Sequence, residues 1–443
     1  MRRMKMLTIL GLTMISVFTY FIMSGRLSSF TALTIIPLIF AIIAGFGSTV
    51  DTMMIDGIKL VAPSAAFILF ALLFFGIMID AGMFDPLINQ ILKTVKGDPM
   101  KVAVGTAILT LAVALDGDGT TTFIIVISSL LPLYNRLNMN PLVLATIAML
   151  SFSVVCGLTP WGGPGIRALS VLGLEQTDFF VPLIPTLIGG AIWVIFVSFI
   201  LGKKERKRLG VIDLQEDEGA TRKTGYAATL AIEEGSSIKR PKLLWVNVGL
   251  TLAVMGVLIS GLVQSAVLFL VAVVVAMLIN YPTIEQQKER IKDHGANALM
   301  VLLVVFAGGA FTGILSGTGM VDSIAGHLVS IIPESWGSFF PLIIGLVSIP
   351  FTFVMSNDAF YFGVVPIFAN TAVAYGIEPI EIVRVAVLTQ SAHFLLPLVP
   401  ATILLISMLK LNIAEYVRFA FKWSLLTCFV LIVLAWSTGA ILS

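Results

Sequence analysis

Asp116-Gly117-Asp118-Gly119-Thr120-Thr121-Thr122 interrupts an otherwise apolar stretch, with Val102–Leu115 before it and Phe123–Leu133 after it. A carboxylate among such neighbours needs a cation, a hydrogen-bond donor or a proton. Asp116 ends an incoming helical arm, where the negative end of the macrodipole disfavours it. Asp118 opens the outgoing arm and reads either as a site residue or as a helix cap. A second interruption, Ser356-Asn357-Asp358, separates Phe339–Met355 from Ala359–Ala369 and offers the same two readings for Asp358. Each arm is shorter than the ~20 residues of a membrane span. Both stretches therefore predict re-entrant helical hairpins, residues 100–134 and 337–370. Irregular backbone at membrane depth is tolerated where it lines a cavity or packs in protein.

After each hairpin comes a long apolar helix with a break. Gly157-Leu158-Thr159-Pro160-Trp161-Gly162-Gly163-Pro164-Gly165-Ile166-Arg167 breaks the segment 141–174, and Ser391-Ala392-His393-Phe394-Leu395-Leu396-Pro397-Leu398-Val399-Pro400-Ala401-Thr402 breaks 379–410. So many glycines and prolines do not continue an ordinary helix. Facing breaks offer carbonyls to cations and helix N-termini to anions. Thr159, Gly162, Gly163, His393 and Thr402 are candidate substrate contacts. Arg167 suits a substrate carboxylate, against the alternative of an arginine snorkelling to the interface. His393 suits a proton or a metal, or a purely structural role. Asp80 reads as facing a polar end, and Glu381 with Arg384 as a surface ion pair. Gly309, Gly313 and Gly317 read as close helix packing. Walker, zinc and nucleophile-elbow motifs are missing, which weighs against an ATP-driven pump or a hydrolase.

The elements that position these residues belong to a membrane. Hydrophobic residues make up 58% of the 443, charged residues 12%, and mean hydropathy is +1.03; a soluble domain carries about 25% charge. Ten apolar segments of span character follow one another, five before residue 203 and five after 241. The stretch 203–241 begins Lys-Lys-Glu-Arg-Lys-Arg, turns acidic at Asp213, Glu216, Asp217 and Glu218, and reads as a solvated linker placed in the cytoplasm by its basic run. The two halves, 1–202 and 242–443, repeat: Gly76 to Asp85 aligns with Gly313 to Asp322 at an offset of 237. Five spans per half make the second half inverted, a transporter signature. The same count puts Met1–Lys5 outside, against its own positive charge. Cys156 and Cys428 both lie in apolar segments, so no disulfide framework is expected. The net charge of +2 is silent about nucleic acid, and no such partner is expected.

Leu115-Asp116-Gly117-Asp118-Gly119-Thr120-Thr121-Thr122-Phe123, Pro160-Trp161-Gly162-Gly163-Pro164, Phe75-Gly76-Ile77-Met78-Ile79-Asp80-Ala81-Gly82 and Lys96-Gly97-Asp98-Pro99 resemble the bacterial citrate–divalent metal/proton symporter family (CitMHS), within the ion-transporter superfamily. The resemblance covers the first half nearly throughout and the second more loosely. It implies an all-α polytopic fold of two inverted repeats with paired hairpins and broken helices. It further implies elevator motion, a homodimer in a bacterial inner membrane, and uptake of citrate complexed with a Mg or Ca type ion, coupled to protons, with no permanently bound cofactor. Sodium-coupled dicarboxylate carriers of that superfamily bear Ser-Asn-Thr at both tips; here both tips gain acid, which favours a metal or a proton over sodium. Gly165 and Ile166 depart from the small polar residue expected after Gly163-Pro164. Thr120, Thr121, Ser356, Asn357, Thr402 and Arg167 are expected to hold citrate, and Asp116, Asp118 and Asp358 the proton or metal. Asp118→Asn is then expected to abolish concentrative uptake. The alternatives are a sodium-coupled di- or tricarboxylate carrier without metal, and a membrane sensor or enzyme. The linker is too short to supply the module a sensor needs.

Overall fold

A computed structural model describes residues 2–95, 97–211, 238–395 and 399–441, which form helices and no strand. The first part comprises α1 (Arg2–Met23), α2 (Ser29–Ile43), α3 (Val50–Asp80), α4 (Asp85–Val95), α5 (Pro99–Val113), α6 (Gly119–Arg136), α7 (Pro141–Leu158), α8 (Gly163–Leu172) and α9 (Gln176–Leu209). The second comprises α10 (Leu244–Ser260), α11 (Ser265–Asn280), α12 (Ile284–Gly317), α13 (Met320–Ile331), α14 (Phe340–Val354), α15 (Val365–Val373), α16 (Pro379–Val387), α17 (Gln390–His393), α18 (Pro400–Met408) and α19 (Ile413–Ser437). The 237-residue offset carries α3 onto α12, α4 onto α13, α5 onto α14, α8 onto α18 and α9 onto α19, with starts a few residues apart at most. The acidic run of the linker and Leu396-Pro397-Leu398 lie outside the described residues.

Among the described residues eight helices are long and apolar enough to cross a membrane, one of them the broken segment Pro141–Leu172, so the chain is a multi-pass membrane protein. Three of the ten expected spans are shorter: α2 and α11 have 15 and 16 residues, and the second broken segment is divided among α16, α17 and α18, of 9, 4 and 9 residues. The first arm of the first hairpin is longer than expected. A 3-10 turn extends α5 to Asp116, giving 18 residues.

Local chemistry sets the starts. Asp98 and Asn140 each precede a proline, and each side chain accepts from the N–H two residues on, at 3.0 and 2.9 Å. The proline at the first helical position has no N–H to satisfy. Glycines set the deepest contact, α3 against α12. A Cβ on Gly57 would sit 2.0 Å from the Gly309 carbonyl oxygen, and one on Gly313 would sit 2.0 Å from that of Met53. The glycine spacing on α12 is thus helix packing.

Asp80 faces the polar first turns of α12, whereas Glu381 and Arg384 lie differently from expectation. Asp80 accepts from the Arg290 Nη1 at 3.0 Å and pairs with the His294 Nε2 at 2.7 Å, joining the end of α3 to α12. Glu381 and Arg384 are buried, 5% and 8% exposed. The Arg384 Nη1 and Nη2 donate to the Ala440 and Asp178 carbonyls, at 2.9 and 2.6 Å. These are structural bonds and not a surface pair. The helix is buried along its length, from Ile380 to Val387, so both charged side chains are enclosed.

Candidate functional site

The first hairpin turns at Gly117, whose φ of +77° is open to glycine with little strain. Trp161, from the first break, holds this turn: its Nε1 donates to the Leu115 carbonyl at 2.7 Å. The Trp161 ring is buried against Phe75 and Phe180. Tip and break therefore form one unit.

Within it the two aspartates divide their roles. The Asp118 Oδ2 accepts from the Thr121 N–H at 2.8 Å and from its hydroxyl at 2.6 Å. That is an N-cap, and it engages Thr121 as well. Thr120 is exposed. Asp116 is 4% exposed. Its Oδ1 accepts from the Asp118 N–H at 3.0 Å and the Thr122 hydroxyl at 3.2 Å, and among the described residues no cation pairs with it.

The second tip uses the same parts differently. Ser356 takes the capping position, its Oγ accepting from the Ala359 N–H at 3.2 Å. Asp358 lies within the helical turn and caps nothing. Its Oδ1 instead accepts from the Arg167 Nε at 2.5 Å, across the halves. The Arg167 Nη1 donates to the Gly163 carbonyl at 2.8 Å, within α8. Arg167 is therefore turned inward onto the second tip and does not snorkel. Asn357 keeps a buried Oδ1 with no partner.

At the first break, Thr159 is extended and Gly162 starts α8. A Cβ on Gly162 would fall 1.9 Å from the Cys156 carbonyl oxygen, so only glycine fits. The Thr159 hydroxyl is spent on the Val155 carbonyl at 2.9 Å. Gly163 accepts from Arg167, as above. At the second break His393 is buried, its Nδ1 2.7 Å from the Thr352 carbonyl, and Thr402 donates to the Phe394 carbonyl at 3.1 Å. The breaks face each other: the Ser153 and Ser391 hydroxyls are 2.7 Å apart, and Gly157 lies against Gln390.

Arg167, Asp358, Asn357 and His393 thus gather where the second tip meets the first break, while Asp116 and Asp118 sit at the other tip. Among the described residues no three acidic, His or Cys groups form a cluster that could hold a metal ion. Sequence reasoning passed over Tyr361 and Gln390, which bond to each other within this region. The Gln390 Oε1 is buried without a partner. A polar Thr389-Gln390-Ser391 run inside an apolar helix was the available signal.

Paired hairpins and facing breaks in an all-helical membrane chain define a polytopic transporter fold. Two solved transporters share it. One is YdaH of Alcanivorax borkumensis, with TM-score 0.52, 13% identity, and 88% of both chains covered. The other is MtrF of Neisseria gonorrhoeae, with TM-score 0.57, 14% identity, and 89% of this chain and 85% of that one covered. Residues 6–389 match the citrate transporter family, CitMHS, and the chain belongs to that family. Three proteins of Bacillus subtilis (strain 168) are similar over 98% of this chain and 99–100% of their own. They are the uncharacterized transporter YraO at 55% identity, a citrate transporter at 52% and a Mg(2+)/citrate complex secondary transporter at 48%. The relatives are transporters and not enzymes.

Proposed function

We propose that this chain takes up citrate as a complex with a divalent metal ion of the Mg or Ca type, coupled to protons. Chelation turns the citrate trianion into a monoanion, which lowers the cost of burying it. A single guanidinium is the natural partner for one negative charge, and Arg167 lies at the meeting of tip and break. The observation that carries the reading is its bond to Asp358. While Asp358 is ionised it occupies Arg167. A proton on Asp358 removes the competing charge and leaves the guanidinium for a citrate carboxylate, so proton and substrate load together. Gln390 and Asn357, with their unpartnered oxygens, are available to the hydroxyl of citrate or to water on the metal. Asp116 is a second proton or metal contact, at the opposite tip.

The 48% identical relative named for a Mg(2+)/citrate complex supports the metal. The recurrence of element order supports two inverted repeats, 1–202 and 242–443; in this reading they move as an elevator in a bacterial inner membrane, and the basic run of the 203–241 linker puts it in the cytoplasm. The test is radiolabelled citrate uptake into proteoliposomes under an inward proton gradient, without sodium, adding metals one at a time. We expect uptake with a chelating metal, collapsing with a protonophore. Uptake that needs sodium and ignores metal would assign the chain to sodium-coupled carriers instead.

A further inference from the structure

The linker-side end of α9 and the first turns of α19 enclose a cavity of about 100 Å³, lined by Asn140, Lys204, Glu205, Phe419, Lys422 and Trp423 among others. Lys204 and Lys422 both approach the Trp423 ring, with ammonium nitrogens 5.9 and 5.5 Å from its centroid. Cation–π attraction holds each there, yet the two like charges repel. Neither lysine has a carboxylate partner among the described residues. Glu205, the acid in the wall, is already engaged by the Asn140 N–H at 2.8 Å and by Arg208 at 2.6 Å. Trp423 is 8% exposed and its Nε1 has no acceptor. A buried indole N–H without an acceptor costs free energy unless an occupant supplies one. Two unpaired ammonium groups and one unpaired donor thus share one cavity, and an oxyanion would satisfy all three.

The source of that oxyanion follows from the surroundings. Phe196 and Phe199 on α9 and Phe421 and Leu426 on α19 are exposed along the same two helices. They provide an apolar surface for acyl chains, next to a basic cavity of the type that holds lipid head groups. We propose that this cavity binds the phosphate of an anionic phospholipid, with the acyl chains lying along α9 and α19.

The experiment is native mass spectrometry of the full-length protein in detergent, equilibrated with phosphatidylglycerol or with phosphatidylcholine. We expect phosphatidylglycerol to be retained and phosphatidylcholine to be lost. Lys204→Gln/Lys422→Gln should cut retention about ten-fold. Trp423→Phe keeps an aromatic face for the lysines, removes the N–H, and should cut it by a smaller factor. Lys203→Gln/Lys207→Gln, exposed on the same helix, should change nothing. Equal loss in that control would show diffuse charge attraction and overturn the site. So would equal retention of both lipids, or full displacement of the lipid by millimolar inorganic phosphate. The readout is independent of what the transporter carries.

Discussion

Asp118 and Asp358 look alike in sequence and differ in the fold. Asp118 spends an oxygen on the Thr121 backbone and hydroxyl, so its geometry is that of a cap. This weighs against the expected loss of uptake in Asp118→Asn. Asparagine caps as well as aspartate, and we expect that variant to fold and to accumulate citrate. Asp118→Ala should lose about 1 kcal/mol of stability, read by thermal melting in detergent. Loss of accumulation in a stable Asp118→Asn would return the residue to the coupling mechanism. Asp358 is the contrasting case. Arg167→Gln leaves a mostly buried carboxylate unpaired and should cost about 3 kcal/mol. Arg167→Gln/Asp358→Asn removes both charges and should recover most of that. Asp358→Asn alone should bind metal–citrate with little dependence on pH and fail to accumulate it against a gradient. Accumulation with the wild-type pH profile would remove Asp358 from the coupling.

At the scale of elements, glycine decides how close two helices come. Gly57, Gly309 and Gly313 let α3 and α12 touch backbone to backbone. Gly313→Ala pushes a methyl into the Met53 carbonyl and should cost about 1–3 kcal/mol, seen as a lower melting temperature. Gly249→Ala on α10, where the new Cβ meets no atom of another element within 4 Å, is the control and should not lower the melting temperature, since alanine is the better helix former. The spacing of these glycines was legible in sequence, but their partner was not, because the every-fourth pattern states only that something approaches. The hairpin arms show the complementary case. Their apolar composition and polar tips were legible, whereas the 3-10 turn that lengthens the first arm was not. The Leu115 carbonyl in that turn accepts from Trp161, which comes from another element.

For the whole molecule, the outward faces and the repeat set the expectations. α10 has the least buried span, 17%, with Trp245 and Leu252 turned outward, an apolar surface for lipid or for a second copy. We expect a homodimer in detergent, of twice 47.6 kDa by light scattering; a monomer would overturn the dimer that the family resemblance implies. The amino-acid sequence by itself determined that the chain lives in a membrane and which segments break. It also determined that the order of elements recurs after 237 residues. These follow from local composition, since hydropathy, proline and glycine act on the residues beside them. Tertiary structure decided which polar groups meet. The Arg167–Asp358 bond spans 191 residues, and the burial of Glu381 and Arg384 depends on neighbours from other helices. A charge in an apolar chain must be satisfied, but its own sequence neighbourhood does not say by whom. Only the packing of one half against the other supplies that partner.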